Sequence, residues 1–179
     1  MGVVKKFVII GPESTGKSVL CGQLAEHYKT QWLPEYAREY LLKNGTDYSY
    51  EDLLIIAKGQ IGLEEKFIQK VKSETGNSML FIDTDMYVMK VWSEYVFNKC
   101  HNWILNRIAE RCYDGYILCS PDIDWVADEL REYPDLATRQ KLYYYYKDIM
   151  VSQAIPWVNI TGNYNERFGR AAKFVDDIS

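Results

Sequence analysis

The chain has 179 residues, 47% hydrophobic and 26% charged, which is the composition of a folded domain rather than of a disordered segment. Lys and Arg number 21 against 25 Asp and Glu, and the net charge of -4 disfavours nucleic-acid binding, which depends on cationic contacts to phosphates. The apolar runs are far shorter than the roughly 20 residues that span a bilayer, so we expect no membrane partner.

Cysteine usage and the start of the chain bear on location. The chain contains 4 cysteines and no Cys-x-x-Cys pair, which is typical of free thiols in a reducing cytoplasm. Residues 1–6 lead directly into an apolar run and leave no room for a signal peptide. We therefore expect a cytoplasmic protein in which residues 1–179 form one domain without disulfide bonds or a zinc site.

Strand and helix signals alternate along the whole chain. Short apolar runs bounded by Gly, Pro or Asp predict buried strands over Val3–Ile10, Gln31–Leu33, Met79–Ile82, Tyr116–Cys119 and Pro156–Ile160. Apolar residues at helical spacing predict helices over Lys17–Tyr28, Asp52–Lys72 (a region that Gly76 ends), Trp103–Cys112, Leu142–Met150 and Asn165–Asp176. This alternation predicts an α/β fold: a parallel five-stranded sheet with helices on both faces.

The strongest motif lies between the first predicted strand and the first predicted helix. It matches G-x-x-x-x-G-K-[ST] in full, as Gly11-Pro12-Glu13-Ser14-Thr15-Gly16-Lys17-Ser18, with Val19 next. The glycines let backbone N–H groups converge on phosphate oxygens, and the helix N-terminus adds a favourable dipole. Lys17 can reach the β- and γ-phosphates, and the Ser18 hydroxyl can bind Mg²⁺. The motif predicts a nucleotide-binding P-loop.

The class of reaction follows from what else the chain carries. Asn98-Lys99-Cys100-His101 does not complete the Asn-Lys-x-Asp element that reads guanine in GTPases. A small-molecule kinase needs a phosphate loop, a carboxylate near the acceptor hydroxyl and mobile cations, and candidates for each are present. ATP and GTP both remain open as donors. A nucleotide-dependent switch without catalysis is the alternative from another class.

The carboxylate candidates Asp83 and Asp85 follow the strand predicted at Met79–Ile82. Ligands bind at the carboxyl ends of parallel strands, and residues two apart on an extended chain point the same way. Both carboxylates are therefore expected to face the phosphate loop. One would hold Mg²⁺ and the other would accept the proton of the attacking hydroxyl. The alternative is that one of them caps a helix starting near Met86.

Two further segments are candidates for the acceptor side and for a lid. Glu35 and Arg38 follow the second predicted strand, where they either touch the acceptor or form a surface pair on a solvated helix turn. The charged stretch at 122–140 predicts a helical lid, with a lid segment at about 121–147. Arg131 and Arg139 in it would close on the transferring phosphate, unless the stretch is merely a solvated helix.

The loop after the last predicted strand, residues 162–167, is the candidate for contact with the donor base. Backbone groups near Asn163 can read adenine there, and Tyr164 or Arg167 can stack on it. The alternative is an ordinary turn with Asn165 near the helix N-cap. Trp125 in the lid segment packs under the lid or in the core, or it stacks on an acceptor base.

Taken together, the motifs resemble NadR-type ribosylnicotinamide kinase domains of the P-loop ATP-binding family. The resemblance covers essentially the whole chain and rests on five segments in the same order: 11–18, 34–40 (Pro-Glu-Tyr-Ala-Arg-Glu-Tyr), 81–85 (Phe-Ile-Asp-Thr-Asp), 124–131 and 162–167. The 34–40 and 81–85 elements are much more specific than the phosphate loop. No His-x-Gly-His motif is present, so we expect the kinase domain without an adenylyltransferase.

The resemblance implies a phosphotransferase with an alcohol acceptor, which uses ATP and Mg²⁺ to phosphorylate the 5′-hydroxyl of nicotinamide riboside in NAD salvage. It assigns the phosphates and Mg²⁺ to Lys17 and Ser18, the acceptor ribose to Asp83 and Asp85, the acceptor wall to Glu35 and Arg38, and the lid to Arg131 and Arg139. A cationic nicotinamide ring would suit Tyr36, Tyr87 or Trp92 through cation–π contact. A kinase of another nucleoside or nucleotide is the close alternative.

Overall fold

The computed structural model describes residues 3–74 and 78–179, so Gly76, predicted to end a helical region, lies outside the described residues, as do Met1 and Gly2. Within them the strands are β1 (Lys5–Ile10), β2 (Gln31–Leu33), β3 (Met79–Asp83), β4 (Gly115–Cys119) and β5 (Trp157–Ile160). The helices are α1 (Lys17–His27), α2 (Tyr36–Asn44), α3 (Tyr50–Ser73), α4 (Met86–Phe97), α5 (Asn102–Glu110), α6 (Leu136–Ser152) and α7 (Tyr164–Ile178).

The described strands form one sheet in the order β2-β3-β1-β4-β5, and every pairing is parallel. The predicted parallel five-stranded sheet with helices on both faces is confirmed. Parallel strands end at the same edge of the sheet, so the segments that follow them meet there. Because β1 lies beside β3, the phosphate loop is next to Asp83, and β2 brings Glu35 to the same edge.

The core lies on both faces of the sheet, as expected for strands that helices cover on each side. Along β1, Val8 and Ile10 pack with α4 and α6, whereas Phe7 and Ile9 pack with α1 and α7. A third apolar cluster joins α2, α3, α4 and α5 beyond the sheet. The carboxyl edge of the sheet is therefore held rigidly from both sides. No helix among the described residues has the length and hydropathy needed to cross a membrane.

Side-chain caps fix where several helices begin. Ser49 and Asp52 form a capping box at α3, and Asp135 accepts from the Thr138 N–H at 2.7 Å, so α6 starts well before the predicted Leu142. Asn163 caps α7 and forms a capping box with Glu166, two residues before the predicted position. Such caps stabilise a helix by about 1 kcal/mol each.

The prediction of a helical lid over 122–140 is wrong for residues 122–135, because α6 begins only at Leu136. Residues 121–135, all of them described, form an irregular segment, which we call the lid loop, between β4 and α6. The charges in this stretch gave it a helical appearance, but it lacks a continuous apolar stripe to pack against a neighbour. Cys112, predicted on the apolar face of a helix, lies beyond the end of α5 and is exposed.

Candidate active site

The phosphate loop joins β1 to α1 by a backbone path that few residues can follow. Gly11, Ser14 and Gly16 have positive φ angles of 143°, 54° and 76°. A Cβ on Gly11 would lie 2.6 Å from the Cys119 carbonyl oxygen, so this position requires glycine. No described side chain caps α1 at Gly16, which leaves the N-terminal N–H groups of the helix available to an anion.

Lys17, Ser18 and Asp83 come together at the floor of this loop. Lys17 Nζ donates to the Pro12 carbonyl at 2.7 Å, and Ser18 Oγ donates to Asp83 Oδ2. Asp83 is buried, and burial raises the pKa of its carboxyl, while Lys17 and the hydroxyls of Ser18 and Thr84 act in the opposite direction. The buried carboxylate of Asp83 therefore lies in the same site as Lys17 and Ser18.

The donor set at this point suits Mg²⁺. The hydroxyl of Ser18 and the carboxylate of Asp83 are in hydrogen-bond contact, and a hard cation prefers such oxygen ligands. No group of three His, Cys, Asp or Glu side chains within residues 3–74 and 78–179 is placed to hold a metal ion by itself. The residues present thus fit an ion that also uses phosphate oxygens as ligands.

Asp85 does not face the phosphate loop, contrary to the expectation from the sequence. Its carboxylate accepts from the N–H groups of Tyr87 and Val88, at 3.0 and 3.3 Å, and from the Tyr116 hydroxyl at 2.8 Å. The alternation of side chains fails because Thr84 adopts a positive φ of 78°, which turns the chain between the two aspartates. Burial raises the pKa of Asp85 to about 6. Asp85 is the N-cap of α4, the alternative that the sequence left open.

Glu35 and Arg38 lie where β2 passes into α2, and both line the cavity above the phosphate loop. Burial, followed by the charge of Asp83, raises the pKa of Glu35 to about 7, against the influence of Lys17 and Arg38. Arg38 Nη1 donates to Asp128 of the lid loop at 3.1 Å. Because the Arg38 side chain is half exposed, this ion pair by itself contributes little to stability.

Gln60 is a site-forming residue that the sequence interpretation missed. It is buried on α3, where its Nε2 donates to the Thr84 carbonyl at 2.9 Å and its Oε1 accepts from the Tyr36 N–H at 2.7 Å. It thus ties the end of β3 to the start of α2 and fixes Asp83 relative to Glu35. The signal was present: helical spacing places this polar residue on the same face of α3 as the apolar Leu53, Ile56 and Ala57.

The cavity that these residues line has a volume of about 500 Å³. Every residue of the phosphate loop from Gly11 to Ser18 lines it, together with Val19. Its walls carry aromatic rings that the sequence interpretation mostly missed: Trp32, Tyr48, Trp92, Tyr95, Tyr133, Tyr146 and Tyr164. Trp92 Nε1 donates to the Tyr48 hydroxyl at 2.9 Å, which fixes two of these rings edge to face.

Four aromatic residues were predicted on the acceptor side. Trp92 lines the cavity. Among the described residues, the cavity lining does not include Tyr36, Tyr87 or Trp125. Tyr87 packs against Tyr116 in the core, with ring centroids 5.8 Å apart. Trp125 Nε1 donates to Glu13 Oε1 at 3.2 Å, so this indole contacts the phosphate loop rather than the core. These positions differ from the sequence expectation because α2 turns the Tyr36 ring towards Gly59 of α3, and α4 turns the Tyr87 ring towards Tyr116 of β4.

The two lid arginines are placed differently. Arg131 lines the cavity, and its Nη1 donates to the Val126 carbonyl. Arg139 is buried on α6, where its Nη1 donates to the Ile123 carbonyl at 3.4 Å, and it is outside the described cavity lining. Both contacts are to backbone carbonyls of the lid loop. Arg131 therefore lies at the cavity, whereas Arg139 does not line it among the described residues, and the approach of a guanidinium to phosphate stays a prediction for Arg131.

The loop before α7 is organised by Arg167. This guanidinium is 2% exposed and donates to the carbonyls of Gly162, Thr15 and Ser120 and to the Asp122 carboxylate. Its burial leaves Tyr164 as the predicted stacking residue that lines the cavity, while Asn163 serves as the α7 cap. Arg167 thus joins the phosphate loop, the end of β4 and the loop after β5 rather than stacking on a base.

The fold and this edge of the sheet define a P-loop nucleotide-binding domain of the kinase type. A family model described as an AAA domain matches residues 6–167, and the chain belongs to this family. The chain is also similar to the trifunctional NAD biosynthesis/regulator protein NadR of Escherichia coli (strain K12) and of Salmonella typhimurium (strain LT2). Each is 28% identical over an alignment of 183 residues, which covers 98% of this chain and 43% of the relative. The resemblance to NadR is confirmed.

Solved structures show the same fold. The NadR protein in complex with NR superposes on this chain with a TM-score of 0.81 and 20% sequence identity. The NadR protein in complex with NAD and AMP-PNP superposes with a TM-score of 0.76 and 19% sequence identity. Both matches cover 98% of this chain and 49% of the respective NadR chain. Thymidylate kinase from Ehrlichia chaffeensis matches with a TM-score of 0.66 and 14% sequence identity, over 99% of both chains. The chain thus spans less than half the length of its NadR relatives.

Proposed function

We propose that this chain is an ATP-dependent kinase that transfers a phosphoryl group to the 5′-hydroxyl of nicotinamide riboside and forms nicotinamide mononucleotide. The observation that carries the proposal is the shared cavity. The phosphate loop, Asp83 and Glu35 line it together with an aromatic wall, so donor phosphates and an aromatic acceptor can meet there. The relation to NadR, solved in complexes with NR and with AMP-PNP, supports this choice of acceptor and donor.

The donor side uses the phosphate loop. Its backbone N–H groups and the N-terminus of α1 would bind the phosphates of ATP, with Lys17 beside the γ-phosphate. Ser18 and Asp83 would hold Mg²⁺, which screens phosphate charge when bound. Tyr164 begins α7 and lines the cavity, and its ring would lie 3.1 Å from a Cβ added at Gly16. This ring is therefore placed for the donor base.

The acceptor side suits a cationic aromatic ring. Trp92 and Tyr48 are fixed edge to face, and Glu35 lies in the same cavity. Ring faces and a carboxylate both attract a cation, which nicotinamide riboside carries and ordinary nucleosides lack. Gly59 lies against the Tyr36 ring, and the absence of a side chain there lets α2 pack close to α3.

In the transfer step, the 5′-hydroxyl oxygen attacks the γ-phosphorus and ADP leaves. The hydroxyl proton passes to a carboxylate of the cavity. Among the carboxylates that follow β2 and β3, Asp83 is engaged with Ser18 and Asp85 caps α4, so we assign this role to Glu35. Its pKa of about 7 is the value that suits a general base at neutral pH. Arg131 would neutralise charge on the transferring group.

The test is a panel of acceptors, each incubated with ATP and Mg²⁺ and analysed by mass spectrometry. We expect nicotinamide riboside to gain the mass of one phosphoryl group with one ADP formed per product. Lys17→Ala should lose this activity, while Lys66→Ala, a matched change on the exposed face of α3, should keep it. Turnover of a different nucleoside or of a nucleotide, with none of nicotinamide riboside, would move the assignment to the close alternative.

A non-catalytic nucleotide switch makes the opposite prediction for this panel. It would bind ATP and change the exposure of the lid loop, but no acceptor would gain a phosphoryl group. The donor is settled in the same experiment by replacing ATP with GTP at equal concentration. We expect ATP to be preferred, because the base side of the cavity presents the Tyr164 ring and the described chain has no complete guanine-reading element.

A further inference from the structure

Glu13, in the middle of the phosphate loop, makes contacts that phosphate binding does not require. Its Oε1 accepts from the Tyr133 N–H at 2.6 Å and from Trp125 Nε1 at 3.2 Å. Its Oε2 accepts from the Glu132 N–H at 3.0 Å. All these donors belong to the lid loop. Hydrogen bonds from N–H groups to a carboxylate are stronger than the same number of hydrogen bonds to a neutral acceptor.

The lid loop is attached to the phosphate loop at a second place. Ser14 Oγ accepts from the Val126 N–H at 2.9 Å, and Ser14 is buried with a positive φ of 54°. Glu13 and Ser14 therefore hold the lid loop near both of its ends, at 125–126 and at 132–133. The segment has no helix or strand of its own along 121–135, so such side-chain contacts decide where it lies.

Arg131 lies between these two attachments. Its backbone N–H donates to the Asp128 carbonyl at 3.1 Å, and its guanidinium donates to the Val126 carbonyl. These two bonds close residues 126–131 into a compact turn. We therefore expect a change in Glu13 that releases 132–133 to displace the Arg131 guanidinium from the cavity that it lines.

We propose that Glu13 is a positioning residue: it clamps the lid loop onto the phosphate loop and thereby fixes Arg131 over the phosphate site. The role of Arg131 rests on the proposed kinase function, whereas the clamp itself does not. Glu13 is an anion within a loop that receives anions, and its oxygens are satisfied by lid-loop donors. The phosphate loop then has two roles: it binds the donor, and through Glu13 it sets the position of the lid loop.

The clamp is tested directly by amide hydrogen exchange in the full chain without nucleotide. In Glu13→Ala, the amides of Glu132 and Tyr133 should exchange about tenfold faster or more, since each loses a hydrogen bond to a charged acceptor. Glu13→Gln, which keeps one acceptor oxygen, should lie between Ala and wild type. The matched control is Glu26→Ala on the exposed face of α1, which should leave both amides unchanged.

Unchanged exchange of these two amides in both Glu13 variants would overturn the clamp, whatever reaction the protein catalyses. If the panel of acceptors gave no product with any variant, the proposed function would fail while this exchange measurement still decided the clamp. The two failures are therefore distinguishable.

The link to Arg131 is tested by kinetics. Glu13→Ala should lower kcat about tenfold or more while acceptor KM changes less, because the guanidinium acts on charge that grows in the transition state. In an Arg131→Ala background, Glu13→Ala should add little further loss. Two full and independent losses in the double variant would show that Glu13 does not act through Arg131, since a residue of merely general structural importance gives additive effects.

Discussion

The phosphate loop and the lid loop are both irregular stretches at the carboxyl edge of the sheet, but they are held in different ways. Residues 11–18 are bounded by β1 and α1 and are braced from within, with Thr15 Oγ1 and Lys17 Nζ both donating to the Pro12 carbonyl. The lid loop is braced from outside, by side chains of Glu13, Ser14, Arg38 and Tyr48.

This difference has a consequence for motion. Opening the phosphate loop requires disruption of its own backbone turns and of the buried strand before it. Releasing the lid loop requires loss of a few side-chain hydrogen bonds, each of them exposed or only partly buried. We therefore expect the phosphate loop to be preformed and the lid loop to open at low free-energy cost, as segments that admit a ligand generally do. The experiments below test this difference between the two loops.

The largest effect is expected within the phosphate loop. Lys17→Ala should reduce turnover to below about a thousandth of wild type, because it removes the fixed cation beside the transferring phosphate. The fold should remain, since Lys17 contributes one partly exposed hydrogen bond to Pro12, worth about 1 kcal/mol. Steady-state kinetics and thermal melting measure the two parts. Near wild-type turnover would remove the phosphate loop from the active site.

The lid arginines come next and separate the cavity-lining residue from the buried one. Arg131→Ala should lower kcat by about a hundred- to a thousandfold with a much smaller change in acceptor KM. Arg139→Ala should lower kcat less and lower the melting temperature more, because Arg139 is buried beneath the lid loop and contacts Ile123. Equal kcat losses with unchanged melting temperatures would mean that both guanidiniums reach the phosphate, as the sequence suggested.

A backbone test addresses the internal bracing of the phosphate loop. Gly11→Ala should destabilise the protein by about 2–3 kcal/mol, because the new Cβ meets the Cys119 carbonyl and the φ of 143° is unfavourable for alanine. The matched control is Gly22→Ala in α1, where a Cβ has open space. That variant should be stabilised by about 0.5–1 kcal/mol. Denaturant unfolding measures both, and similar values for the two would contradict a strained, preformed loop.

The smallest effect concerns Asp85, a carboxyl that belongs to neither loop. Its pKa of about 6 exceeds the usual value near 3.8, so the folded state binds the proton more tightly than the unfolded state does. Its contribution to stability is therefore favourable at low pH and is lost as pH rises through about 6, by about 2–3 kcal/mol. Asp85→Asn keeps a capping oxygen but cannot ionise.

The measurement for Asp85 is the free energy of unfolding of wild type and Asp85→Asn from pH 4 to pH 7.5. The wild-type value should fall relative to that of the variant across this range, and turnover of the variant should stay close to wild type. A constant difference in unfolding free energy would mean that burial does not raise the pKa. A loss of activity comparable to that of Lys17→Ala would return Asp85 to the reaction site.

Asp83 and Asp85 illustrate where local rules stop. Alternation along a strand predicted that both carboxylates face the same way, and this holds while the chain stays extended. Thr84 leaves the extended region, and the helix that starts at Met86 needs a cap, so the second carboxylate turns into the core. The same sequence pattern offered the cap as an alternative, but spacing alone does not decide between them.

The alternation of strands and helices, the parallel sheet and the phosphate loop could be predicted from the sequence, because periodicity, glycine placement and the P-loop spacing are local properties of the chain. The other features of the site depend on tertiary contacts. The aromatic wall, the buried Gln60 that fixes Asp83 relative to Glu35, and the attachment of the lid loop to Glu13 join residues far apart in the chain. Such contacts depend on strand order and helix packing, which no short window of sequence contains.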